Sequence, residues 1–153
     1  MPTADQTHLE AVRSRREALY QALVGLEDAL STPIGDGERW RLRVAMAVDH
    51  AANRVAEHIR DVEATDGFLD QVVAEAPRLC GRTDRLRADH DDLEKSVHAL
   101  SVELSEIADA DVADRAPQIR DQAMAFLGLL ASHRHRGADL IYEAYQVDIG
   151  SSH

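Results

Sequence analysis

The sequence predicts an all-α fold, an up-down-up-down antiparallel four-helix bundle, and three observations carry the prediction. Apolar residues recur at helical spacing through four long segments. Aromatic residues make up only 4% of a chain that is 44% apolar, which suits a core of Leu, Val and Ala better than strand packing. No segment alternates at period two, and neither a Gly-rich phosphate loop nor a sequence repeat is present. With 153 residues, a single domain over 1–150 is expected, long enough to bury a sizeable core.

The first helix is expected from about Ala4 to Leu30, opened by the capping-box spacing of Thr3 and Gln6 and closed by Ser31-Thr32-Pro33. Asp36 is placed to cap the second, from about Glu38 to Ala64. Thr65-Asp66-Gly67 breaks that helix, and Phe68 to Ala76 reads as a short helical continuation. Pro77 suits the first turn of the third long helix, which reaches about Ala108. Asp109 to Ala116 reads as a polar connector, and the fourth helix starts near Asp114–Pro117 and runs to about Gln146. Short connections between long amphipathic helices predict the up-and-down order.

Charge narrows the partners. The net charge of −11 repels nucleic acid and anionic membranes, so neither is expected as a partner. No apolar run approaches the ~18 residues of a membrane span, and MPTADQTHLE has neither the basic start nor the apolar stretch of a signal peptide. Cys80 is the sole cysteine and has no internal disulfide partner; a cytoplasmic location is expected. Cys80 falls well off its helix's apolar stripe and reads as incidental. Trp40 reads as an anchor at one end of the bundle, and Arg134 and Arg136 near Asp139 and Glu143 as a solvated charged face.

Eight histidines are more than a chain of this size usually carries. Placed at ~100° per residue, His8 falls inside the stripe of Val12, Leu19, Leu23, Leu26 and Leu30. His58 flanks the stripe of Val44, Val48, Ala51, Val55, Ile59 and Val62. His90 flanks Leu79, Leu86, Leu93, Val97, Leu100 and Leu104. His133 flanks Ile119, Ala123, Phe126, Leu130, Leu140, Ile141 and Ala144. His50, His98 and His135 point outward. Taken singly, an inward histidine is most simply a core residue with one hydrogen-bond partner. One per long helix is a different pattern. Four buried imidazoles without partners would cost several kcal/mol, and a shared metal satisfies them together. A common layer requires the second helix to continue through Phe68–Ala76 and the first to start in mid-bundle.

His8, the segment His90-Asp-Asp-Leu-Glu94, the leading histidines His58 and His133, and the close Leu140-Ile141-Tyr142 resemble the hemerythrin-like (HHE cation-binding) family. The resemblance spans most of the chain and implies a four-helix bundle with a non-haem di-iron site, with metal ligands at His8, His58, Glu63, His90, Glu94 and His133. It departs at two expected carboxylates. Val62 stands four residues after His58, with Glu63 one position late, and Gly137 stands four after His133. Fewer protein ligands than the family set, and weaker iron retention, are therefore expected.

The resemblance implies a metal-binding protein that senses, binds or detoxifies dioxygen, nitric oxide or peroxide, or handles iron. Its cofactor would be iron, as a pair or a single metal ion, and its partners the metal, a small diatomic ligand, and a protein partner or second copy. The competing reading is a degenerate bundle that has lost the di-iron site, holds no metal, and serves as an interaction or structural module. Whether the protein is an enzyme stays open. Ser132-His133 with Asp89–Asp92 offers no nucleophile elbow or oxyanion hole, so a hydrolase triad is not expected.

Overall fold

Residues 4–64 and 67–147 are described by a computed structural model, residues 4–9, 12 and 145–147 by backbone alone. Five α-helices follow in order: α1 (Ala4–Ser31), α2 (Gly37–Glu63), α3 (Phe68–Glu75), α4 (Cys80–Glu106) and α5 (Val112–Ile141). Single 3₁₀ turns at Pro77–Leu79 and Asp109–Asp111 lead into α4 and α5, and wider π-type turns continue α5 over Tyr142–Val147. Four helices are long, α3 is short, and no strand occurs among the described residues. No described helix is long and apolar enough to cross a membrane.

Local chemistry sets the boundaries. Gly35 takes φ +49 in the turn after α1, a left-handed conformation that side-chain-bearing residues rarely adopt. Next to it Asp36 accepts hydrogen bonds from the Glu38 and Arg39 amides at 3.0 and 3.4 Å, satisfying two orphan donors of α2. Arg120 of α5 donates to the Leu30 and Thr32 carbonyls at 3.1 and 3.2 Å, so a guanidinium from another helix closes the end of α1. The same guanidinium lies 5.5 Å from the centre of the Trp40 ring, which is buried at this end of the core as its sequence position suggested. Between α2 and α3, a side chain at Gly67 would meet the Ala64 carbonyl at 2.7 Å, so the close approach excludes any other residue.

One boundary differs from expectation. α5 starts at Val112, within the stretch read as a polar connector, because Val112 and Ala116 sit one turn apart and are both completely buried. Their burial outweighs Pro117, which lies inside the second turn without an amide to donate. The Thr3 cap and the tail beyond residue 147 lie outside the described residues.

α1 packs on α2, α2 on α4, and α4 on α5. Arg41 meets Asp109 at 2.7 Å, while Asp49, eight residues later, accepts from Ser101, eight residues earlier, so α2 and the α4 end run in opposite directions. The stripes read from the sequence are buried almost throughout. Leu19, Leu23, Leu26 and Leu30 meet Val44 to Ile59, Leu93 to Leu104 and Ile119 to Leu130 in one apolar cluster. Ile141 is an exception: it is 37% exposed, since its neighbour Leu140 takes the inward position. A second, smaller cluster joins Leu69, Val72 and Ala76 with Leu79, Leu86, Leu140 and Ala144. Thus α3 walls the far part of the bundle, where α2 has already ended. Three histidines occupy the layer between the two clusters. His58 adjoins Ile59, His90 lies between Leu86 and Leu93, and His133 lies between Leu130 and Leu140.

Candidate metal centre

Each of these side chains arrives from a different helix. His58 sits five residues before the end of α2, His90 near the middle of α4, and His133 in the latter half of α5. His90 and His133 are buried, at 1% and 4% exposure, and His58 is half-buried at the rim. The outward assignments hold as well: His50, His98 and His135 are exposed.

The rings meet edge to face, with centroids 4.7 to 5.6 Å apart. Their Nε2 atoms converge. His133 Nε2 lies 3.2 Å from His58 Nε2 and 3.2 Å from His90 Nε2. All three lie within 4.8 Å of one another, a group that can hold a metal ion. Four-coordinate zinc with nitrogen bonds of ~2.0–2.1 Å spaces its ligand atoms by about 3.3 Å, close to the two short separations.

The outer nitrogens show how the cluster is supported. Asp89 Oδ2 lies 3.1 Å from His133 Nδ1. The same oxygen accepts from Arg136 Nε at 2.9 Å, and Oδ1 accepts from Arg136 Nη2 at 2.7 Å. Arg85 adds a weaker ion pair at 3.5 Å. Burial alone would push the Asp89 carboxyl up, but hydrogen bonds from His133 and Arg136, and the Arg136 charge, hold it below the usual carboxylate range. An ionised carboxylate only accepts, so His133 carries its proton on Nδ1 and turns a lone pair inward at Nε2. On the other side, Glu63 Oε1 lies 3.0 Å from His90 Nδ1. It stands off the line of an N–H bond, and this buried nitrogen makes no hydrogen bond among the described residues.

Hydrogen bonding does not complete the cluster. One in-plane lone pair on His133 Nε2 accepts one proton well, yet two Nε2 atoms approach it equally. A shared proton is disfavoured too. Burial, then the neighbouring His133, His90 and Arg16, push the His58 imidazole down to about 4. Burial also lowers His133, against the opposing pull of Asp89. His58 and His133 are therefore neutral near pH 7, the state in which imidazole binds a metal.

Of the six ligands expected from the sequence, the structure brings three together at Nε2: His58, His90 and His133. Glu63 stands instead at the outer nitrogen of His90. Glu94 is exposed and outside the group, because one turn carries it a further ~40° from the α4 stripe that His90 already flanks. The His8 side chain lies outside the described residues. Two residues went unrecognised. Asp89, directly before His90, turns ~100° to the opposite flank of the stripe, toward α5, where it meets His133. Arg136 lies on the face read as solvated, but it is fixed to Asp89, while Arg134 lies 5.7 Å from the centre of the Tyr20 ring. Their one sequence signal was spacing: Arg136 follows His133 by three residues and so shares its helix face.

The chain matches no protein-family profile, no curated protein and no solved structure.

Proposed function

We propose that the protein is a metal-binding, up-down-up-down antiparallel four-helix bundle, hemerythrin-like in arrangement, that holds a single divalent transition-metal ion on His58, His90 and His133. The convergence of the Nε2 atoms of His58, His90 and His133 from three helices carries this reading. A pair of ions would need bridging carboxylates, and the two carboxylates that meet the rings, Asp89 and Glu63, both stand at outer nitrogens. Iron is the occupant that the family resemblance implies. An all-imidazole set suits zinc and copper as well, and the general order of divalent affinities puts iron(II) below both. Weak iron retention is therefore part of the proposal.

When bound, such a metal supplies a Lewis-acidic centre with positions left for a small ligand, of the size of dioxygen, nitric oxide or peroxide. The chain contributes the rest. Leu86 and Leu140 on one side, and Leu93 and Leu130 on the other, flank the cluster with buried apolar layers and leave it open at the His58 rim. Asp89 holds the His133 proton at Nδ1. The single, exposed Cys80 suits a reducing, cytoplasmic compartment.

The test is metal stoichiometry of untagged protein after supplementation with iron or zinc. One metal per chain is expected, lost in His90→Ala and kept in His135→Ala. Protein without stoichiometric metal, or a His90→Ala variant with unchanged content, would overturn the reading in favour of an interaction module.

A further inference from the structure

We infer that Asp89, clamped by Arg136, is the positioning residue of the three-histidine centre, and that it selects the His133 tautomer able to bind metal. The inference rests on the metal-binding reading above. It starts from an asymmetry among the rings. Only His133 contacts both other Nε2 atoms, so it is the hub of the cluster. Among the described residues, His133 alone of the three has its outer nitrogen on a buried carboxylate, at 3.1 Å, with the aspartate 6% exposed.

That carboxylate is fully engaged. Arg136 grips both oxygens, through Nε at 2.9 Å and Nη2 at 2.7 Å, in a fork that fixes the carboxylate plane as well as its position. The bidentate grip serves two ends. It offsets the cost of burying an anion. It also keeps both oxygens on the outer side of His133, so Asp89 orients a ligand without becoming one. α4 thus supplies two neighbouring residues with separate roles: His90 faces the cluster and Asp89 reaches across to the back of a histidine on α5. A metal-binding histidine whose second nitrogen donates to a carboxylate is held in ring orientation and tautomer, and loss of such a partner typically costs 10–100-fold in affinity.

The experiment uses the full chain, cobalt(II) as the probe in chelator competition, and nitrogen-15 imidazole spectra of the metal-free protein. Wild-type protein is expected to show His133 protonated at Nδ1. Asp89→Leu should move that proton to Nε2 and lower cobalt affinity 10–100-fold. Asp89→Asn, whose side-chain oxygen still accepts from Nδ1–H, should keep the tautomer and most of the affinity. It also covers the case in which the leucine variant does not fold. Wild-type His133 carrying its proton on Nε2 overturns the inference, as does Asp89→Leu binding cobalt like wild type or weakening it with the tautomer unchanged. Failure of wild-type protein to take up cobalt at all overturns the metal reading instead, and the tautomer spectrum tells the two failures apart.

Discussion

His133 turns its two nitrogens to opposite tasks: Nδ1 lies 3.1 Å from Asp89 Oδ2, and Nε2 lies 3.2 Å from the Nε2 atoms of both His58 and His90. A residue with that geometry should matter more than its neighbours. His133→Ala removes the ligand that both others approach, whereas His58→Ala removes one at the half-buried rim. Cobalt titration is expected to find binding abolished in the first and weakened in the second. A larger loss in His58→Ala would contradict the hub arrangement.

Acid should destabilise the metal-free protein in a defined window. The folded-state value of His58, about 4, lies below its unfolded value near 6.5. Between those values the unfolded chain binds the extra proton, so stability rises with pH across the window. The His58 contribution is complete above pH ~6.5 and lost as pH falls toward 4. His133 is shifted in the same direction and adds to the slope. Asp89, held below the carboxylate range, contributes stability above its unfolded value of ~3.9 and loses it at still lower pH. Urea midpoints taken from pH 7.5 to 4.5 should fall steadily, and His58→Gln should flatten the fall. An unchanged slope in that variant would show that other groups cause it.

The core should respond by depth. Phe126 is completely buried in the main cluster, and truncation to Ala is expected to cost about 3–5 kcal/mol. Leu129, three residues on and 39% exposed, should lose well under 1 kcal/mol on the same change. Comparable shifts in thermal midpoint for the two would argue against the register of α5.

The start of α2 allows a local check. Asp36→Ala removes the acceptor of two amide hydrogen bonds and should cost about 1 kcal/mol, with Asp36→Asn close to wild type. Equal denaturation midpoints for Asp36→Ala and wild type would mean that the cap contributes nothing.

These sites differ in how plainly the sequence announced them. The Asp36 cap and the stripes from Leu19 to Leu30, Val44 to Ile59 and Leu93 to Leu104 depend on spacing within one helix, and spacing is visible in one dimension. The inward turn of His58, His90 and His133 was legible for the same reason. Carboxylate roles were not. Glu94 looked like a ligand from its distance to His90, yet that offset carries it to solvent. Asp89 looked like one acid in a run, and only the approach of α5 gives it His133 and Arg136 as partners. The early start of α5 was hidden similarly, since Val112 among acidic residues gains its weight from burial against other helices.

Metal should stabilise this fold, because the three ligands are scattered through the chain. His58, His90 and His133 are separated by 32 and 43 residues and belong to α2, α4 and α5. An unfolded chain does not hold such a set together, so binding free energy becomes folding free energy. At 100 times the dissociation constant, a ligand that binds only the folded state adds about 2.7 kcal/mol. For a domain of this size, that corresponds to a rise in thermal midpoint of roughly 5–11 °C. The layer between the two apolar clusters should be where the effect is felt, since α3 and the ends of α4 and α5 meet only beyond the histidines. Hydrogen exchange is therefore expected to slow most around Leu69, Leu86 and Leu140 when cobalt or zinc is added, and chelator should reverse it. His133→Ala should show neither the thermal shift nor the protection. A midpoint that ignores added metal in the wild-type protein, or one that rises equally in His133→Ala, would show that the metal acts elsewhere on this strongly acidic surface.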